Sequence, residues 1–195
     1  MAARRTRAAA RRAALVPFLS ELSDDEIEAI GYLLADPLAP RLAVALSSCS
    51  RGLRRALAAP LKELKERRQK AEELCAFVSG PWEGAYLWSC DKLRDATELY
   101  LNNRGLTAAH METLGMLLAT NGLPQLRELL SLNYNSIGDE GMKTFSTALG
   151  KGALPALRKL HLYSNQIGDA GMVKFAKALG KGGLANCKSL SLDGI

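Results

Sequence analysis

Residues 129–142 read LLSLNYNSIGDEGM, and residues 160–172 read LHLYSNQIGDAGM. The two stretches are one pattern written twice, L-x-L-x-x-N-x-I-G-D-x-G-M, each followed by an amphipathic run and a return segment. A period of this size decides the architecture, because so short a unit buries its apolar face only when like units stack against it. The first copy continues through Phe145, Leu149, Leu154, Pro155 and Leu157, the second through Phe175, Leu179 and Leu184. A worn copy lies upstream (Leu101, Leu106, Met111, Leu114, Leu118, Leu123, Pro124, Leu126), and a fourth begins at Leu190 and Leu192.

Within each copy, L-x-L alternates with the period of a strand that has one buried face. Asn135 and Asn165 stand where that strand must turn, where a side-chain amide can pair backbone groups that would otherwise be buried and unsatisfied. They are read as structural. Asp139 and Asp169 precede the helical runs and are expected to cap those helices. Met142, Phe145 and Leu149 share one helix face. Gly150 and Gly152 end the helix, and Leu154-Pro155 leads back to the next strand. The expected fold is therefore α/β: a short solenoid of parallel strands with one helix per repeat, preceded by an all-helical region. Two irregularities stand out. Leu129 to Leu160 spans 31 positions but Leu132 to Leu162 only 30, which predicts a bulge between Leu129 and Leu132. Repeat one has Arg104 in the asparagine position and His110 in a glycine position, as a first repeat that meets a cap can.

From residue 93 to 195 the pattern resembles the leucine-rich repeat family, in its ribonuclease-inhibitor-like form with a full helix per repeat. The resemblance implies a solenoid that binds proteins along its concave strand face. By fold analogy alone it raises a GTPase-activating protein as an alternative, and fold does not carry function.

In strand register, residues flanking the core leucines point to the open face. They are Glu98, Tyr100 and Asn102; Ser131 and Asn133; Lys159, His161 and Tyr163; and Ser189, Ser191 and Asp193. Tyr100, Asn133, His161 and Tyr163 make a polar-aromatic row suited to a protein partner, since tyrosine offers contact area and a polar tip at low entropic cost. An ordinary solvated face would look the same. Chemistry is sparse. The two histidines, His110 and His161, have no spaced Cys or His partner for zinc, and no nucleophile or phosphate-loop motif occurs. No catalytic residue, metal or cofactor is expected.

In the first half, Ser23-Asp24-Asp25-Glu26 is a capping box. Ile27, Ile30, Leu33 and Leu34 share the face of a helix stopped by Asp36-Pro37. A second helical region is expected over 38–59, and a third with Pro60 at its first position. On that third helix Leu61, Leu64, Ala71, Cys75 and Val78 mark one face, and Glu63–Arg67 and Glu66–Lys70 are potential pairs on the other. Trp82 and Trp88 are expected to plug the end of the repeat core. The domain reading is a basic tail over 1–17, a helical region over 18–80, a bridge over 81–98 and repeats over 99–195. Residues 18–59 also resemble the F-box, through Leu22, Ile27, Ile30, Leu33-Leu34, Pro37, Leu42, Leu46, Cys49, Arg51, Arg54 and Arg55. The family's usual opening Leu-Pro is Leu22-Ser23 here. That resemblance implies a ubiquitin-ligase adaptor as partner, with the chain acting as a substrate receptor.

The chain has 195 residues and a formal net charge of +6. Arg4, Arg5, Arg7, Arg11 and Arg12 precede the first acid, Glu21, and the rest is near neutral, so no nucleic-acid surface is expected. The Arg/Ala-rich tail can be a mitochondrial or plastid transit peptide, a basic arm or a plain extension. No apolar run is long enough for a membrane span. Scattered Cys49, Cys75, Cys90 and Cys187, without C-x-x-C, suggest free thiols and a cytoplasmic setting. A strand at Leu190 and Leu192 with no following helix predicts a fragment, a truncated gene model or self-association at that edge.

Overall fold

The computed structural model describes residues 22–80 and 87–194. The basic tail, the segment with Trp82 and Ile195 lie outside the described residues. By its contacts the chain forms two compact units, Met1–Glu66 and Arg67–Ile195, and the division falls inside a helix.

In the first unit, α1 (Asp24–Leu33) opens with the expected capping box. Glu26 N–H donates to Ser23 Oγ (3.3 Å) and Ser23 N–H to Glu26 Oε2 (2.8 Å). The single helical region expected over 38–59 is instead two helices, α2 (Arg41–Ser47) and α3 (Arg51–Ala56), followed by α4 (Ala58–Val78). The break is chemical. Ser47 and Ser48 donate their hydroxyls back to the carbonyls of Val44 and Ala45 (2.8 and 2.7 Å), and Ser50 turns to cap the next helix by accepting from Leu53 N–H (3.1 Å). Serine side chains that compete for backbone groups end helices in this way. Pro60 falls third in α4, not first, still within the turn whose N–H groups have no helical acceptor. Ile27, Leu53 and Leu57 form a small core with Leu22, Leu46 and Leu61 against it. α1 approaches so closely that a Cβ on Gly31 would lie 2.5 Å from Leu57 Cδ2.

The second unit holds the rest of α4, then α5 (Cys90–Asp95), β1 (Glu98–Tyr100), α6 (Ala108–Ala119), β2 (Leu129–Ser131), α7 (Gly138–Gly150), β3 (Lys159–His161), α8 (Asp169–Gly180) and β4 (Ser189–Ser191). The four strands form one parallel sheet in the order β1-β2-β3-β4. Leu99, Leu130 and Leu160 stand side by side across it, each fully buried, and Leu132, Leu162, Phe145 and Phe175 fill the space toward the helices. Along α4 of this unit, Phe77 stacks on His110 with ring centroids 4.0 Å apart, and Lys70 approaches Glu112 at 3.9 Å. This half of α4 therefore lies beside the first turns of α6. Arg68 and Glu72 form an ion pair along it (2.7 Å).

The strands correct the expected register. Leu130 pairs with Leu160, and Leu129 pairs with Lys159, so residues 129–132 run in step with 159–162 and contain no bulge. The additional residue enters earlier, between Leu126 and Leu130. There the N–H groups of Arg127 and Glu128 both donate to Thr97 O (3.2 and 3.0 Å). The doubled leucine hid this, because either Leu129 or Leu130 satisfies the pattern.

The aspartates also act differently from expectation. Asp139 lies within the first turn of α7 and does not cap it. Its Oδ1 accepts from Gly168 N–H (2.8 Å) and Gly171 N–H (2.9 Å), capping α8 of the following repeat. A Cβ at Gly171 would sit 2.7 Å from that oxygen, so glycine there makes room for its neighbour's cap. Asp169, in the same place on α8, caps no helix of its own; the N-cap of α8 is Gly168.

Candidate functional site

Parallel pairing at a constant register lines the open face with side chains in rows. The first row is Glu98, Leu129, Lys159, Ser189, and the second is Tyr100, Ser131, His161, Ser191. A third, carried by backbone bonds just beyond the strands, is Asn102, Asn133, Tyr163, Asp193. Each residue expected on this face occurs in one of these rows. Leu129 joins them unexpectedly, through the corrected register.

The rows are not uniformly open to solvent. Ser131 and Asn133 are 2% and 5% exposed. Ser131 Oγ donates to Asn102 Oδ1 (2.6 Å), Asn133 N–H donates to the same oxygen (3.1 Å), and Asn133 Nδ2 donates to Ser131 Oγ (3.3 Å). Asn133 Oδ1 then accepts from Tyr163 N–H (3.2 Å). These polar side chains lie along the sheet and tie three repeats together, which leaves little of Ser131 and Asn133 for anything outside. Beneath them, Asn135 Oδ1 accepts from Arg104 N–H and Leu106 N–H, while Nδ2 donates to Leu101 O and Leu132 O (2.7–3.0 Å). Asn165 Nδ2 likewise donates to Leu132 O and Leu162 O. Buried amides that satisfy backbone carbonyls of two repeats at once are structural groups.

What stands out from the face is aromatic. Tyr100 is exposed, and its hydroxyl donates to Glu98 Oε2 (3.0 Å). Tyr134, absent from the sequence-based set, is exposed and packs edge-on against Tyr163, with centroids 4.7 Å apart and planes at 82°. Tyr134 holds φ at +55°, as do Asn103 (+51°), Ser164 (+55°) and Gly194 (+64°) at the same place in the other repeats. A bulky side chain in the left-handed region costs about 1–2 kcal/mol. That position lies past the period-2 alternation, so no sequence rule for strand faces reaches it; the left-handed turn after each strand was the missing signal. The hydroxyls of Tyr100 and Tyr163 are held above the ordinary phenol range, by the bonds to Glu98 and Tyr134 respectively. Both remain neutral donors at neutral pH.

At the strand N-terminal rim, Glu128 accepts from Arg158 Nη1 through both oxygens (3.1 Å each), with Arg127 Nε at 3.9 Å. Among the described residues no three His, Cys, Asp or Glu side chains gather as a metal site. No described helix is long and apolar enough to cross a membrane. His161 sits between its row neighbours Ser131 and Ser191.

A family model described as a leucine-rich repeat matches residues 128–146 and 154–176. No curated protein matches the chain. The matched segments contain β2 with the start of α7, and β3 with the start of α8, and the same spacing extends to β1 and β4. Those two segments are therefore similar to leucine-rich repeats, and the structure sets them within a parallel four-stranded sheet.

Proposed function

We propose that this is a noncatalytic interaction protein whose concave strand face holds a protein partner. The observation that carries the reading is the set of projecting aromatics, Tyr100 at one end and the Tyr134–Tyr163 pair further along, standing on a floor of side chains already bonded to one another. A rigid floor lowers the ordering cost of association, and tyrosine anchors are common where one protein grips another. Tagged chain and a Tyr134→Ala/Tyr163→Ala variant, both checked for fold by circular dichroism, would be used to capture partners under cross-linking. Capture is expected to fall at least tenfold in the variant, with cross-links mapping to the rows. Unchanged capture by a folded variant defeats the reading.

A second reading concerns residues 18–59 and has its own motive. Leu33 is 85% exposed, and Tyr32, Leu42 and Val44 are exposed with it on α1 and α2. Several large apolar side chains left in water on two short helices suit a docking surface. An F-box-type contact with a ubiquitin-ligase adaptor is the form proposed. Adaptor binding by the full chain that disappears in Leu33→Glu/Leu42→Glu supports it, and no binding by the unaltered chain removes it.

A further inference from the structure

At the β1 end of the strand face lies a cavity of about 790 Å³. Trp88, Asp91, Asp95, Glu98, Tyr100 and Arg104 are among the residues that line it. α5 brings Asp91 and Asp95 to the cavity on its first and last turns. β1 contributes Glu98 and Tyr100 from the same face that bears the rows. The position of Trp88 is fixed through its backbone N–H, which donates to Ser79 Oγ (2.6 Å). Tyr100 is thus common to the cavity and to the proposed partner surface.

Three features say what the cavity fits. It is large enough for a few residues of an extended chain. Its walls combine an indole and a phenol ring, whose faces attract cations. Three carboxylates border it, and one of them, Glu98, is already oriented by the Tyr100 hydroxyl (3.0 Å). Against these stand the cations of Arg104 and Lys92; the latter donates to Leu87 O (3.0 Å), which ties its ammonium to the rim. Aromatic faces beside carboxylates, one of them oriented, make a seat for a planar, weakly hydrated cation that can stack and bond at once, and guanidinium has that shape.

We propose that this cavity receives an arginine side chain of the protein partner, anchoring the end of a segment that crosses the strand face. The proposal rests on the strand-face reading and narrows the partner to one with an accessible arginine beside an extended stretch. Its charge component should weaken with salt, since Asp91, Asp95 and Glu98 are exposed.

The test uses the full chain and a small probe, N-acetyl-arginine methylamide, titrated while the Trp88 indole and Tyr100 ring signals are followed by NMR. The norleucine analogue, which has a similar stem and no charge, is the control. Saturable shifts at both rings are expected for arginine, in the millimolar range typical of so small a ligand, at least fivefold weaker for norleucine and weaker at 0.5 M salt. Asp95→Asn and Tyr100→Ala, both at exposed positions, should each reduce the affinity severalfold without altering the fold, even if Trp88→Ala does not fold. No shifts at these rings, or equal binding of both analogues, overturns the proposal. The partner assay separates it from the reading beneath. Capture that fails in Tyr134→Ala/Tyr163→Ala but persists in Asp95→Asn/Tyr100→Ala leaves the strand face standing and removes the arginine seat.

Discussion

At the scale of single residues, equivalent positions in the repeats do unequal work. Asn135 uses both ends of its amide, whereas Asn165 Oδ1 is buried without a hydrogen-bond partner among the described residues. Asn135→Ala should therefore cost more stability than Asn165→Ala, about 3 against about 2 kcal/mol, because more buried backbone groups lose their partners. Asp139 and Asp169 give a sharper contrast. Asp139→Ala removes an acceptor shared by two helix N–H groups and should cost about 1 kcal/mol, the usual value of a lost cap. Asp169→Ala should stay within about 0.5 kcal/mol, as surface changes do. Urea unfolding of the four variants checks both pairs, and equal losses for the two aspartates would contradict the cross-repeat cap.

His110 supplies the pH dependence. Its Nδ1 accepts from Thr107 N–H (3.1 Å) at the start of α6, and burial against Phe77 holds its pKa below the ordinary 6.5. Lys70 and Glu73 of α4 and Glu112 of α6 are the charged groups around it. A depressed histidine pKa means that the folded state favours the neutral ring. Its contribution is present above pH 6.5 and is lost as pH falls through the lower folded-state value. The urea midpoint of the unaltered chain should decline between pH 7 and 5 more steeply than that of His110→Gln, whose amide can still accept from Thr107. Parallel declines would assign the effect to other groups.

At the scale of elements, the sequence made the strand-turn-helix-return unit legible because its signals are local. Leucine alternation, the turn asparagines and the amphipathic runs each fit within about a dozen residues. What it hid involves neighbours about 30 residues on. The carboxylate of Asp139 meets Gly168 and Gly171, not its own helix, and only stacking reveals that. The burial of Ser131 and Asn133 follows from Asn102 in the adjacent strand, so alternation correctly placed them on the open face but could not foresee that they would be consumed there. The break between α2 and α3 was readable in principle, since Ser47, Ser48 and Ser50 each bond backbone, but the apolar spacing across them masked it. α7 starts without such a carboxylate from the repeat before it, because Ala108 occupies the position of Asp139 there, while α6 relies on Thr107 with His110. The histidine that looked like a defect in the pattern is part of that start.

At the scale of the whole molecule, burial at one register position holds across three strands and drops at the fourth. Leu99, Leu130 and Leu160 are fully buried, while Leu190, their counterpart in β4, is 40% exposed. In a stack whose repeats touch only their neighbours, protection should follow that drop. Native-state hydrogen exchange is expected to be slowest in β2, β3 and α7, and faster by an order of magnitude or more in β4 and the last turns of α8. Uniform exchange across all four strands would show that the stack opens as one unit. The first compact unit has cores of its own around Ile27, Leu53 and Leu57 and around Ala35, Ala43 and Leu64, so its amides should follow a separate schedule.

The edge-on pair of Tyr134 and Tyr163 also has a spectroscopic meaning. An aromatic ring shields protons that lie over its face, so one tyrosine of this pair should resonate well upfield of the others. The pair joins consecutive repeats, and the shift exists only while both are formed and correctly stacked. It also lies on the surface proposed to meet a partner, where any occupant must disturb it. Without a label, one line in a proton spectrum would report both the integrity of the stack and the occupancy of its face.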